Sequence, residues 1–342
     1  MVRLLDNTIV KQYDYPDSRQ KNMDRINVAV TYKLIEPYKN ELIEMCKERC
    51  VLHFLNKYSE VEPLIEDLDI ILGSAPADAA LFGKAKKLKW MQYSSAGVDD
   101  FVDIFKTHGA AILTNASGAY GQGISEYLIA YVLVILKKLR EYDRGQEQHE
   151  WKSYGIVKTI EGARVTVIGL GNLGGTFARK MHLLGAQVRG VKQFPAEKPD
   201  YLDEQYTVDK LDTALDGAEI VALCLPNTPK TRGIMSRERI FAMRQDAILM
   251  NVGRGMAIDQ DALVDALNEK RIYAGLDVTT PEPLPPGDPL WNCENLFMTP
   301  HVSGGLSSAF APGFISGLIV RNMKAYLEGR PLENLVDLDL GY

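Results

Sequence analysis

Three polar residues in the last third of the chain have side chains suited to a single reaction. Arg254 lies in Asn251-Val252-Gly253-Arg254-Gly255, Glu282 in Thr280-Pro281-Glu282-Pro283, and His301 in Thr299-Pro300-His301-Val302. A guanidinium fork matches a carboxylate bidentately and can polarise a neighbouring carbonyl. An imidazole exchanges protons near neutrality, and a carboxylate beside it orients the ring and stabilises its charged form. Brought into one small volume, the three describe a site for a 2-oxo or 2-hydroxy acid. Each also has a plainer reading by itself: Arg254 as a surface turn residue, Glu282 as a solvated side chain in the Pro281 to Pro289 connector, His301 as a satisfied buried histidine. The case for chemistry rests on their occurring together and on what lies upstream of them.

The elements that must position this trio are short apolar runs. Ala247-Ile248-Leu249-Met250, Tyr273-Ala274-Gly275-Leu276 and Leu296-Phe297-Met298 each precede one of the three residues and are bounded by turn signals, the pattern of parallel strands covered on both faces. In one open parallel sheet their C-terminal ends would share an edge, and such edges bind ligands. The same rhythm of strand and helix runs through the chain. Strands are expected at Val28 to Val30, Ile70 to Leu72, Trp90 to Gln92 and Ala111 to Leu113, with helices over Glu41 to Phe54, Ala77 to Lys87, Ile124 to Arg140 and Ser307 to Leu327. Residues 1 to about 25 are polar and read as an N-terminal extension.

Between these runs stands a nucleotide fingerprint. Arg164-Val165-Thr166-Val167-Ile168 leads into Gly169-Leu170-Gly171-Asn172-Leu173-Gly174, then into the amphipathic stretch Gly175 to Met181, and Val188 to Val191 returns as a strand. Strand, glycines, helix and strand together are the context that gives the motif meaning. Gly169 permits the tight turn, Gly171 lets the backbone approach a pyrophosphate, and Gly174 lets helix and strand pack closely. The helix start then offers unpaired N–H groups to phosphate. Roughly 20 residues past the glycines, a carboxylate commonly holds the ribose diol of NAD. Here Lys192 occupies that place, in Gly190-Val191-Lys192-Gln193, and no carboxylate follows before Glu197. A lysine there attracts a 2′-phosphate, so NADP(H) is favoured, with NAD(H) retained as the other possibility.

Bulk properties narrow the classes. A chain of 342 residues exceeds the size of one usual core, so two domains are expected. With 39 basic and 45 acidic residues mixed along it, no basic block tracks phosphates, which argues against a nucleic-acid partner. Cys46 and Cys50 have no second pair to complete a zinc site, so no metal is expected, and Cys224 and Cys293 read with them as reduced thiols. The N-terminus lacks the apolar core of a signal peptide, and the uncharged run Tyr127 to Leu136 is too short to span a bilayer. A cytoplasmic protein without a membrane partner is expected.

The chain resembles the D-isomer-specific 2-hydroxyacid dehydrogenase family. The motifs that carry the likeness run in order from about Trp90 to Gly305: Ser95-Ala96-Gly97-Val98-Asp99, Asn115-Ala116-Ser117-Gly118, the glycine fingerprint, Leu225 to Gly233, Asn251 to Gly255, Asp277-Val278, Glu282-Pro283-Leu284 and Thr299-Pro300-His301. The resemblance implies an α/β protein of two doubly wound parallel-sheet domains. One is a flavodoxin-like substrate domain, residues 1–122 and 306–342; the other is an inserted Rossmann nucleotide-binding domain, residues 123–305. It implies that Arg254 binds the substrate carboxylate and ketone, that His301 is the acid/base, that Glu282 pairs with it, and that Asp277 contacts the nicotinamide carboxamide. Ser95, Ala96, Gly97 and Val98 would bind the substrate carboxylate through their backbone. Asn172, Leu173, Pro226, Thr231 and Val252 would line the cofactor beside Gly169, Gly171, Gly174 and Lys192. The implied activity is hydride transfer between NAD(P)H and a small 2-oxoacid, in a homodimer whose arm includes Trp151. A second reading keeps the fold and drops the chemistry, giving a nucleotide-sensing scaffold like a corepressor. The sequence departs from the family at Lys192, at Asn172 where arginine is frequent, and at Tyr127 where histidine is frequent. Tyr93-Ser94-Ser95 offers no cation for a second acidic group, which favours a singly charged acid.

Overall fold

The computed structural model describes residues 25–304 and 310–342. The expected N-terminal extension, and the residues around Ser307 where the last helix is expected to begin, lie outside them. The chain divides into two compact units: one reaches to Ser117 and resumes at Pro312, and the other is Gly118–Ala311. The sequence places these divisions after residues 122 and 305.

The first unit contains β1 (Ile26–Val30), α1 (Tyr38–Cys46), β2 (Cys50–Phe54), β3 (Ile70–Gly73), α2 (Ala79–Lys84), β4 (Trp90–Tyr93), α3 (Asp99–His108) and β5 (Ile112–Thr114). All strand pairs are parallel, in the order β2-β1-β3-β4-β5, the doubly wound order of the flavodoxin type. Ala29, Ile71, Met91 and Leu113 share one buried cluster with α2 and α3 residues such as Phe82, Phe101 and Phe105. Their neighbours Val28, Ile70, Trp90 and Ile112 are also buried, as expected for a sheet covered on both faces.

The second unit contains α4 (Gly121–Leu136), α5 (Leu139–Glu147), β6 (Arg164–Ile168), α6 (Asn172–Leu183), β7 (Gln187–Lys192), β8 (Glu204–Thr207), α7 (Leu211–Leu215), β9 (Ile220–Leu223), α8 (Arg237–Ala242), β10 (Ala247–Asn251), α9 (Gln260–Asn268), β11 (Ile272–Leu276) and β12 (Leu296–Met298). Its seven strands are parallel in the order β12-β11-β10-β9-β6-β7-β8. The order reverses between β6 and β9, which places a ligand crevice beyond their C-terminal ends. Along β10, Leu249 packs in one apolar cluster and Ile248 and Met250 in the other, so this sheet too is buried on both faces. The last helix, α10 (Ala311–Leu327), packs on the first unit: Tyr326 stacks on Trp90, and the Asn322 amide donates to Gln92 Oε1 at 2.7 Å.

Three expectations about elements are corrected. The helix expected over Glu41 to Phe54 ends at Cys46, where Arg49 N–H closes a turn on Cys46 O, and Cys50 to Phe54 pairs with β1 instead. This edge strand is only half-buried along most of its length, so it lacks the alternation that marks a strand. The helix expected over Ile124 to Arg140 breaks at Lys138, whose φ is 55°. The Lys137 and Lys138 ammonium groups leave the helix line and donate to the carbonyls of Lys158 and Tyr154. The helix expected over Ala77 to Lys87 is shortened to Ala79–Lys84, because Asp78 caps it by accepting from Ala80 N and Leu81 N.

Candidate active site

The fingerprint is built by close approach. Gly169 has φ +96°, and a Cβ on it would lie 2.4 Å from Cys224 O, so the turn after β6 tolerates no side chain there. A Cβ on Gly174 would lie 1.8 Å from Gly169 O, whereas one on Gly171 would meet nothing within 4 Å. The turn is thus pressed against α6 and β9 on one side and open at Gly171. Among the described residues, the amides of Asn172, Leu173 and Gly174 donate to no protein acceptor, as the first turn of a helix requires before a ligand arrives. These features fit the pyrophosphate of a dinucleotide. The Asn172 side chain lies against Gly121 at the start of α4. Burial pushes the Cys224 thiol up to about 12, so it stays protonated beside the turn.

Lys192 ends β7, next to the fingerprint. Gly169 N donates to Val191 O at 2.9 Å, which places residue 192 beside the turn. Gly190, two residues earlier and so on the same face of the strand, abuts Leu170 of the turn. The Lys192 side chain makes no ion pair among the described residues. Pro226 and Thr231 lie in the loop after β9, where the Thr231 hydroxyl donates to Pro226 O and accepts from Thr228 N. Val252 is buried directly after β10.

The trio of Arg254, Glu282 and His301 sits at the ends of β10, β11 and β12, which are neighbours in the sheet. The three loops interlock. Asn251 shapes the first: its amide donates to Arg254 O at 2.8 Å, and its Oδ1 accepts from Gly253 N at 3.0 Å. The glycines around Arg254 are sites of contact with neighbouring chain. A Cβ on Gly253 would lie 2.5 Å from Leu225 O, and one on Gly255 would lie 2.0 Å from Thr279 O. Arg254 is half-buried and donates from Nη1 to Gly253 O at 2.8 Å.

His301 Nδ1 lies 2.8 Å from Glu282 Oε2. Glu282 is held in turn, because its Oε1 accepts from Thr279 N at 3.0 Å. An ionised carboxylate accepts only, so Nδ1 carries the hydrogen of that contact and Nε2 is left for a ligand. The side chains are 52% and 37% exposed, so the pair is accessible and adds little to stability. His301 has φ 53°, a left-handed conformation uncommon for a residue with a side chain. Its amide donates to Asp277 O at 2.8 Å.

Asp277 is 2% exposed, and both oxygens of its carboxylate accept from the His301 loop. Oδ1 accepts from the Thr299 hydroxyl and Val302 N, and Oδ2 from Ser303 N and the Ser303 hydroxyl. The side chain expected at the nicotinamide carboxamide therefore also anchors the loop that presents His301. Sequence reasoning missed Asn251, Thr299 and Ser303. For Asn251 a signal existed, since asparagine before a glycine-rich turn commonly bonds its own backbone two residues on.

Ser95, Ala96, Gly97 and Val98 belong to the first unit, between β4 and α3. The carbonyls of Ser95 and Ala96 accept from Ala116 N and the Asn115 amide, and Val98 O accepts from Phe101 N. Among the described residues, the amides of Ser95 to Val98 donate to nothing. The loop thus presents free donors at the start of α3, the arrangement that receives an anion. Among the described residues no cluster of three or more His, Cys, Asp or Glu could hold a metal ion, and no helix is long and apolar enough to cross a membrane.

Comparison with known proteins agrees with this geometry. Residues 129–303 match the family model for the NAD binding domain of D-isomer specific 2-hydroxyacid dehydrogenases. A hydroxyphenylpyruvate reductase of Plectranthus scutellarioides is 30% identical over 273 residues, which covers 78% of this chain and 85% of that protein. A D-isomer specific 2-hydroxyacid dehydrogenase family protein of Aeromonas salmonicida superposes with a TM-score of 0.80 at 30% identity, covering 92% of this chain and all of that one. The family enzyme of Xanthobacter autotrophicus Py2, solved with NADPH and MES, gives 0.78 at 28% identity over 93% of this chain and all of that one. With both sheets, the fingerprint and the histidine–glutamate pair in place, the chain belongs to the D-isomer specific 2-hydroxyacid dehydrogenase family.

Proposed function

We propose that this protein is an NAD(P)H-dependent reductase of small 2-oxoacids, with NADPH as the preferred cofactor. The observation that carries the reading is the His301–Glu282 pair, 2.8 Å apart at the same sheet edge as the glycine fingerprint. Relatives named for such chemistry include glyoxylate reductases of Korarchaeum cryptofilum and Thermofilum pendens, each 27% identical. The bound cofactor supplies a hydride at its nicotinamide ring. Gly169, Gly171, Leu173, Gly174, Pro226, Thr231 and Val252 hold it, and Asp277 meets its carboxamide. Lys192 binds the 2′-phosphate, a role supported by its place beside the fingerprint turn and its freedom from ion pairs. In the second unit the Arg254 guanidinium binds the substrate carboxylate and polarises the ketone, and in the first the amides of Ser95 to Val98 serve as carboxylate donors. His301, protonated, donates from Nε2 to the oxygen that develops negative charge. It is left neutral with its Nδ1 hydrogen on Glu282. The substrate unit is residues 1–122 with 306–342, the nucleotide unit residues 123–305, and the working form is a cytoplasmic homodimer.

The test is turnover followed at the nicotinamide absorbance with glyoxylate, hydroxypyruvate, pyruvate and branched 2-oxoacids, each with NADPH and NADH. Reduction of at least one acid with higher kcat/KM for NADPH is expected. No turnover with any acid would remove the catalytic reading, and a clear preference for NADH would remove the role of Lys192.

A further inference from the structure

We propose that Tyr131, on α4, is a positioning residue that fixes the loop presenting His301; the proposal rests on the proton-donor role of His301 given above. Tyr131 is 3% exposed, and its hydroxyl lies 2.5 Å from Thr299 Oγ1. The direction of this bond follows from the next one. Thr299 has one hydroxyl hydrogen and gives it to Asp277 Oδ1, which can only accept. Tyr131 is therefore the donor to Thr299, and Thr299 the donor to Asp277. Burial pushes the Tyr131 phenol up to about 12, in keeping with a hydroxyl that stays protonated and donates.

The relay ends on the backbone of the catalytic loop. Asp277 Oδ1, which receives Thr299, also receives Val302 N, and Asp277 O receives His301 N. Two residues with their amides on one aspartate, preceded by a threonine hydroxyl on the same oxygen, leave residues 299–303 one register. That register includes the left-handed backbone of His301, which an unrestrained histidine seldom adopts. A Thr299 hydroxyl free to rotate would spend part of its time turned away from Asp277. The phenol removes that freedom by occupying the lone pair of the threonine oxygen that faces α4.

The seat of Tyr131 is itself built for an aromatic ring. Gly275 of β11 lies beneath it, and a Cβ there would come within 2.9 Å of the ring. Phe297 packs beside it with ring centroids 6.2 Å apart. The ring thus lies over the paired residues Gly275 of β11 and Phe297 of β12, the strands that lead into the Asp277 and His301 loops, and its hydroxyl reaches Thr299 just past β12. Phenylalanine at residue 131 would keep this packing and delete only the donor.

The experiment uses the full chain with Tyr131→Phe, Thr299→Val, Thr299→Ser and the double variant Tyr131→Phe/Thr299→Val. Amide hydrogen exchange is read at residues 301–303 without ligand, and kcat, KM and cofactor Kd are read with NADPH and the best 2-oxoacid. In Tyr131→Phe, exchange at 301–303 should rise about tenfold, with β6 and β7 unchanged, and kcat should fall about tenfold at constant KM and cofactor Kd. Thr299→Ser, which keeps the hydroxyl, should stay near wild type. The double variant should match Thr299→Val, because the phenol acts only through that hydroxyl. Unchanged exchange at 301–303 in Tyr131→Phe, or equal losses from Tyr131→Phe with and without Thr299, would overturn the proposal. Absence of turnover in the wild type would sink the reductase reading alone, since the exchange arm still decides whether Tyr131 holds the loop.

Discussion

Gly255→Ala tests whether the sheet-edge loops act as one interlocked unit. The new methyl would lie 2.0 Å from Thr279 O and 2.2 Å from Thr279 C, short of ordinary contact by roughly 1.4 Å. One side must move, and the hydrogen bonds decide which. The residues around Gly255 are tied to the neighbouring chain: Gly233 N donates to Met256 O, Met235 N to Ala257 O and Asp259 N to Met235 O. Thr279 to Pro283 is a loop exposed over most of its length and fastened by side-chain bonds such as Thr280 N to Gln260 Oε1. The softer loop yields, and it carries Glu282. A displacement of about an ångström takes the 2.8 Å His301–Glu282 contact beyond hydrogen-bond reach, and misplacement on that scale costs on the order of a hundredfold in rate. Steady-state kinetics should therefore show kcat lowered about a hundredfold, with cofactor affinity by nicotinamide fluorescence unchanged. Gly287→Ala, where a Cβ meets nothing within 4 Å, is the control and should behave as wild type. A Gly255→Ala enzyme with kcat within about threefold of that control would refute the steric argument. So would one that lost cofactor binding in proportion.

Three further outcomes are expected. His301→Asn should lower turnover by about a hundredfold or more while circular dichroism and cofactor binding stay unchanged, because asparagine tolerates the left-handed backbone; retained turnover would remove His301 from the proton-donor role. Arg254→Ala should raise KM and lower kcat together if, as proposed, the guanidinium binds the carboxylate in the ground state and polarises the ketone in the transition state; a change in KM alone would limit it to binding. Lys192→Glu should reverse the ratio of kcat/KM for NADPH over NADH by about tenfold or more, and an unchanged ratio would show that the 2′-phosphate is read elsewhere.

Much of the second sheet could be read from the chain because several of its strands are short apolar runs bounded by turn signals. Ala247 to Met250, Tyr273 to Leu276 and Leu296 to Met298 are apolar throughout, and each run falls within a strand of the structure. The half-buried edge strand β2 carries no such mark, and its residues read as a continuation of the preceding helix. The break at Lys138 has no local mark of another kind: the side chain meets the carbonyl of Tyr154, a partner that the sequence around residue 138 does not reveal. Among the residues of the candidate site, type and spacing sufficed for Arg254, Glu282 and His301. The reason for Gly253 and Gly255 did not emerge, because it lies in Leu225 and Thr279, brought alongside by the sheet. The link from Tyr131 to Thr299 spans 168 residues of chain, and no local pattern announces it.

The adjacency of β10, β11 and β12 has a consequence for what the protein can accept. Hydrogen-bonded strands stand about 4.8 Å apart, so the origins of the Arg254 and His301 loops are separated by about two strand spacings, or ~10 Å. That separation is a ruler fixed by backbone ladders, and side-chain substitutions in either loop leave its length unaltered. A longer acid cannot be admitted by spreading the guanidinium from the imidazole without unzipping β11. Changes of substrate length must therefore be accommodated away from this edge, with the carboxylate and the reacting carbon held to one fixed gauge.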